Sequence, residues 1–135
     1  MKHNILKNIF DFLEEKGEHR TPFLWKWLTN EPLTEDDLHI NGNLDLTFSK
    51  IESLPEGLNV SGDLILTFCE NISSLPEGLI VRGNLRLFDS KITFLPEGLK
   101  VEGWLDISNT NLEKYTDDEI RDMIKPGFIE GKIYR

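Results

Sequence analysis

The chain has 135 residues, 39% of them hydrophobic, and a formal net charge of −9. That length suffices for one domain to bury a core without covalent staples, and the lone cysteine, Cys69, excludes an internal disulfide framework. Apolar runs fall far short of the ~20 residues that cross a bilayer, no secretory leader pattern opens the chain, and an acidic surface repels phosphate backbones and anionic lipid, so the expectation is a cytoplasmic protein that binds neither membrane nor nucleic acid directly.

In chain order, Ile5, Ile9, Phe12 and Leu13 recur at helical spacing and predict an amphipathic helix over 4–16, ending near Gly17. A second helix is predicted from Thr21, with Pro22 in its first turn and Phe23, Leu24, Trp27 and Leu28 available to lie over the first repeat unit. Thr34 with Asp37 three residues on predicts a short capping turn before His39. Residues 1–38 thus form a helical N-terminal cap.

Residues 39–112 repeat. LPEGL occurs at 54–58, 75–79 and 95–99, in phase with Gly42, Gly62, Gly83 and Gly103, in steps of 20, 21 and 20 residues. Apolar positions recur in the same phase: Ile40/Val60/Val81/Val101, Leu44/Leu64/Leu85/Leu105, Leu46/Leu66/Leu87/Ile107 and Ile51/Ile72/Ile92/Leu112. GxLxL alternates at period two, whereas Pro and Gly in LPEGL stop a helix. Each unit therefore reads as a strand, a turn and an irregular return. The expected result is one parallel sheet with strands near 43–47, 63–67, 84–88 and 104–107, closed at both ends by helices. In the last segment, 113–135, Thr116 and Glu119 form a capping box for a helix through Met123 or Ile124 that Pro126-Gly127 stops, with room for a short terminal strand over 128–134.

At the residues LxLxxxxIxxLPEGLxVxG the chain resembles the short bacterial and phage leucine-rich-repeat class, which includes secreted effectors with LPxxLxxLxVxxN units. The resemblance covers 39–112 and implies an α/β solenoid: four leucine-rich repeats with a short parallel β-sheet, a helical N-terminal cap and a short C-terminal helix. The effector ubiquitin ligases of this class add a large domain with a catalytic cysteine, for which 113–135 is too short. The acidic segment YTDDEIRDMI and the ending GKIY at 131–134 resemble short phage proteins. The class carries an inward asparagine where this chain has Ser49, Ser90 and Thr110, and Cys69 or Glu70 in the longer repeat. By that resemblance Cys69 is an inward structural residue.

No catalytic constellation emerges. His3, His19 and His39 sit in separate segments, no metal-binding or nucleophile motif is present, and Asp36-Asp37 and Asp117-Asp118 fall in first helical turns, where acids suit the dipole. The expectation is a non-enzymatic chain with no cofactor and no metal.

A binding surface is more legible. Strand alternation turns Asn41, Asn43, Asp45 and Thr47 toward the concave face on the first rung, with Ile65, Arg86, Phe88, Trp104 and Asp106 among the residues above them. Ile65, Phe88 and Trp104 are apolar where solvent favours polar residues, and Arg86 and Asp106 share a column in which the carboxylate is expected to orient the guanidinium. These five residues are the candidate protein-binding site. Phe48 and Phe68 either stack as core or stand at the rim. The face measures only about 400 Å² from ~4.8 Å and ~3.3 Å spacings, about half of a stable partner's ~800 Å², so a partner is expected to touch the N-terminal part as well, near Trp25. The leading expectation is a protein-binding module; the resemblance implies a phage origin and a bacterial host protein as its target. One alternative is nucleic-acid mimicry through Glu56, Glu77 and Glu97; another is an enzyme built from scattered residues. The partner's identity and the oligomeric state stay open.

Overall fold

The computed structural model describes Lys26, Trp27, Thr29 and residues 31–135. The helix expected over 4–16 lies outside the described residues, as does the one expected from Thr21, with Trp25, apart from Lys26 and Trp27, which are helical. Contacts divide the chain into two units, Met1–Leu38 and His39–Arg135. In the first, helix α1 (Glu35–Leu38) carries the expected cap: the Thr34 N–H donates to Asp37 Oδ2 at 2.9 Å and the Asp37 N–H to Thr34 Oγ1 at 3.2 Å. The Thr34 backbone bond, with Lys26 Nζ 3.0 Å away, holds the Asp37 carboxyl below its ordinary pKa.

The second unit is a parallel β-solenoid. Its strands are β1 (His39–Ile40), β2 (Leu44–Asp45), β3 (Asn59–Val60), β4 (Leu64–Ile65), β5 (Ile80–Val81), β6 (Leu85–Arg86), β7 (Lys100–Val101), β8 (Leu105–Asp106), β9 (Phe128–Ile129) and β10 (Ile133–Tyr134). They form two five-stranded sheets, β1-β3-β5-β7-β9 and β2-β4-β6-β8-β10. The single expected sheet is thereby corrected to two. Each rung contributes a strand on either side of its glycine corner, because the β-branched Ile40, Val60, Val81, Val101 and Ile129 favour extended backbone just before the corner.

The corners fix the rung spacing. Gly62 donates its N–H to the Gly42 carbonyl, Gly83 to Gly62, Gly103 to Gly83 and Gly131 to Gly103, at 2.8–3.0 Å. A Cβ on Gly83 would lie 2.7 Å from the Gly62 carbonyl carbon and 2.3 Å from Asp63 Oδ1, so only glycine lets the rungs approach this closely. Beside this column runs a side-chain ladder: Asn43 Oδ1 accepts the Asp63 N–H at 2.8 Å, Asp63 Oδ1 the Asn84 N–H at 2.8 Å, and Asn84 Oδ1 the Trp104 N–H at 3.0 Å. A side-chain acceptor thus joins each of these rungs to the next.

Leu44, Leu46, Ile51, Leu54 and Leu58 are buried, as are their equivalents in the rungs above. Each such side chain contributes roughly 1.5–3 kcal/mol, but only when a neighbouring rung covers it. Ser49, Cys69, Ser90 and Thr110 occupy one repeat position and donate their N–H to Leu46, Leu66, Leu87 and Ile107 carbonyls. Cys69 is buried and its thiol donates to the Leu46 carbonyl at 2.9 Å; burial pushes its pKa up to about 11. Cys69 is thus an inward structural residue, as its phase in the repeat implies.

The C-terminal segment is more than a cap. Phe128-Ile129-Glu130-Gly131-Lys132-Ile133-Tyr134 superposes on the register of Lys100-Val101-Glu102-Gly103-Trp104-Leu105-Asp106 and completes a fifth rung in both sheets. Between these rungs a 3₁₀ turn (Asn111–Lys114) and helix α2 (Asp117–Met123) replace the usual return. The expected Thr116/Glu119 capping box is present, with the Glu119 N–H donating to Thr116 Oγ1 at 3.1 Å and the Thr116 N–H to Glu119 Oε1 at 2.9 Å. Ile120 and Ile124 are buried beneath α2. Among the described residues no helix is long and apolar enough to cross a membrane.

Candidate binding face

The outer face of the second sheet gathers the five candidate residues. Ile65, Arg86 and Asp106 occupy one column, in register from β4 to β6 to β8, with Asp45 below and Tyr134 above. Trp104 stands in the neighbouring corner column, after Asn43, Asp63 and Asn84. Phe88 lies on the far side, where Phe68 donates its N–H to the Phe88 carbonyl at 3.0 Å. Ile65, Trp104 and Asp106 are partly exposed, and Arg86 and Phe88 are exposed.

Arg86 and Asp106 are aligned as expected, but the carboxylate that pairs with the guanidinium is a different one. Arg86 Nη2 lies 3.8 Å from Asp63 Oδ2 and its guanidinium sits 5.1 Å from the centroid of the Trp104 ring. Asp106 instead accepts the Ser108 N–H at 2.9 Å, as Asp45 accepts the Thr47 N–H at 3.0 Å and hydroxyl at 2.6 Å. A carboxylate reaching an amide two residues along its own strand orders little extra chain, and this local bond wins over a cross-strand pair held by a long, exposed arginine. Asp63 is both a rung of the side-chain ladder and the partner of Arg86, so the guanidinium is set against the Trp104 ring by a residue the corner already holds. Trp104 is braced on its other side by Tyr134, edge to face at 5.5 Å.

Phe48 and Phe68 resolve in favour of the rim. Phe48 is 68% exposed and stacks on Phe68 with centroids 4.8 Å apart and planes 7° from parallel; Phe68 meets Phe88 edge to face at 5.4 Å. Both residues have left-handed backbone, φ 64° for Phe48 and 57° for Phe68, and the same position in the next rungs is filled by Asp89 (φ 54°) and Asn109 (φ 57°). Asp and Asn tolerate this conformation because their short polar side chains can bond nearby backbone, and here Asn109 Nδ2 also donates to Asp89 Oδ1 of the rung below at 3.0 Å. Phenylalanine has no such compensation. Its cost is about 1–2 kcal/mol per residue, which the stacked Phe48–Phe68 pair and the edge-to-face Phe68–Phe88 pair, at about 0.5–1.5 kcal/mol each, largely offset.

Two aromatic groups therefore share the face: Phe48, Phe68 and Phe88 along one side, and Trp104 and Tyr134 with Arg86 toward the C-terminal end. Phe48, Phe68, Asp63 and Tyr134 are additions to the five residues read from the sequence. Tyr134 was findable from the match of EGKIY to EGWLD.

Elsewhere, Glu56, Glu77 and Glu97 are exposed, one in each LPEGL turn. A polar cleft of about 180 Å³ opens between Ser90, Lys91, Asn109, Thr110 and Asn111, where the buried Ser90 hydroxyl has no hydrogen-bond partner among the described residues. Among the described residues, no three His, Cys, Asp or Glu side chains gather as a metal ion would require. Comparison of the chain with protein-family models, with curated proteins and with solved structures yields no match.

Proposed function

We propose that this chain is a non-enzymatic, cytoplasmic protein-binding module of the leucine-rich-repeat type, whose working surface is the outer face of the second sheet. The observation that carries the reading is the exposed aromatic array, above all the two phenylalanines kept at left-handed positions where Asp or Asn would be less strained. Exposed rings whose contacts do no more than offset the strain of their own backbone add no net stability to the fold, which points to selection for contact with something else. Aromatic rings beside an oriented arginine are the composition of interface hot spots. A bacterial host protein is the partner class favoured by the phage-type resemblance of the repeats and the GKIY ending.

The test is affinity capture from bacterial lysate with the tagged chain, identification of the captured protein, and titration of the purified pair with the parent and with Phe48→Ala, Phe88→Ala and Trp104→Ala. Each variant should weaken binding by about tenfold or more, since losing a hot-spot anchor costs ~2 kcal/mol, while Asn43→Ala, in the corner column three rungs below Trp104 and outside both aromatic groups, changes little. Aromatic variants that melt and bind like the parent would remove this face from consideration. A binding constant that collapses between low and physiological salt would instead favour the carboxylates of Glu56, Glu77 and Glu97 as the contact and nucleic-acid mimicry as the function.

A further inference from the structure

At each glycine corner of the first sheet two backbone carbonyls accept from the rung above, beside a third, of Leu58, Leu79 or Leu99, that accepts from Ile80, Lys100 or Phe128 earlier in the strand. The corner carbonyls of Ile40 and Gly42 accept from Ser61 and Gly62, both at 2.9 Å. Val60 and Gly62 accept from Arg82 and Gly83 at 2.9 and 3.0 Å, and Val81 and Gly83 from Glu102 and Gly103, both at 2.9 Å. Val101 and Gly103 accept from Glu130 and Gly131 at 3.0 and 2.8 Å. The corresponding carbonyls of the fifth rung are Ile129 and Gly131, and among the described residues no strand follows β9 in this sheet. Both are taken by one side chain: Arg121 donates from Nη1 to the Ile129 carbonyl and from Nη2 to the Gly131 carbonyl, the latter at 2.9 Å.

We infer that Arg121 is the terminator of the stack: the C-terminal edge of the first sheet is a strand-pairing surface for a second copy of this chain, and the Arg121 guanidinium holds it closed by standing in for a sixth rung. The planar fork of the guanidinium supplies two donors at once. Arg121 is placed by α2, whose Ile120 and Ile124 are buried and whose Ile124 carbonyl accepts the Gly98 N–H at 2.7 Å, so the donor is delivered from a fixed base. An uncovered edge strand is a template for another chain. A second copy fits it because Phe128 and Glu130 turn their N–H groups down to the fourth rung, which leaves Ile129 between them facing outward with both its N–H and its carbonyl. Two such residues related by a twofold axis can exchange both bonds in an antiparallel pair. This edge lies apart from the aromatic face, on the other sheet, and its role is independent of what that face binds.

Size exclusion with light scattering on the full chain tests it, over a roughly hundredfold range of concentration so that mass action is visible. The parent should stay monomeric, and Arg121→Ala should form a species of roughly twice the mass whose fraction rises with concentration. Arg121→Lys, with one point-like donor in place of a fork, should fall between them. An Arg121→Ala chain that keeps its circular dichroism and remains monomeric throughout overturns the inference, as does a parent that already self-associates to the same extent. Should Arg121→Ala fail to fold, Arg121→Lys decides: self-association by the folded variant supports the terminator role, and a monomer indistinguishable from the parent overturns it.

Discussion

At the scale of single residues, the repeat position shared by Phe48, Phe68, Asp89 and Asn109 separates what stabilises the solenoid from what works on its surface. Replacing Phe48 by Asn removes an exposed ring and supplies a residue suited to φ 64°. The lost stacking of about 0.5–1.5 kcal/mol and the relieved strain of about 1–2 kcal/mol nearly cancel. Chemical denaturation should therefore show Phe48→Asn within ~1 kcal/mol of the parent, and a loss above twice that would make the ring a structural element. Cys69 gives a second prediction at this scale. Unfolded, its thiol ionises near the ordinary value of 9.0; folded, burial keeps it protonated to about 11. Below pH 9 both states hold the proton and the group is silent. Between 9 and 11 the unfolded chain releases it first, so stability should fall as pH rises through that window, and fall less in Cys69→Ala measured alongside. The inward place of Cys69 was legible from its phase in the repeat. The outward strain at Phe48 and Phe68 was not, because a phenylalanine does not advertise a left-handed backbone as Asp89 and Asn109 do in the same column.

Among the elements, the glycine corners and the LPEGL turns make contrasting demands. At Gly83 the obstacle is backbone, with the Gly62 carbonyl carbon 2.7 Å from an added Cβ; at Gly98 the space is empty and only φ 82° resists a side chain. Gly83→Ala must push two rungs apart and should cost about 3 kcal/mol or more, against about 1–2 kcal/mol for Gly98→Ala. Equal losses in urea titrations would mean the corners are not the close contact they look to be. Thr116→Ala, which removes the hydroxyl of the α2 capping box, should cost ~1 kcal/mol. The capping box and the phase of the second sheet could be read directly from Thr116, Glu119 and the LxL pairs. The first sheet could not, since a two-residue strand such as Lys100–Val101 is too short to show an alternation. Nor could the partner of Arg86, because choosing Asp63 over Asp106 depends on a turn that already occupies Asp106.

For the whole molecule, the fifth rung matters more than its distance from the repeats suggests. The step from Gly103 to Gly131 is 28 residues where earlier steps are 20 or 21, and this break in the period hides a rung whose pattern FIEGKIY otherwise follows KVEGWLD. Deleting residues 116–135 would uncover Val101, Leu105 and Ile107, all buried in the intact chain. Because solenoid stability is a sum of neighbour terms, the truncated chain should lose its sharp thermal transition and bind a hydrophobic dye. A truncation that melts cooperatively at the parent's temperature would show the fifth rung to be dispensable.

The glycine corners also make the molecule a ruler. Every interior rung meets the same kind of surface below as it presents above, with glycine on glycine and leucine on leucine. A duplicated 20-residue unit between Gly83 and Gly103 would enter the stack in phase and move Trp104 and Tyr134 about 4.8 Å further from Phe48. Duplication of such a unit is a common accident of DNA replication, and here its product would be a longer aromatic face with both ends unchanged. The distance between the two aromatic groups is thus a quantity that evolution, or a protein engineer, can set in whole rungs.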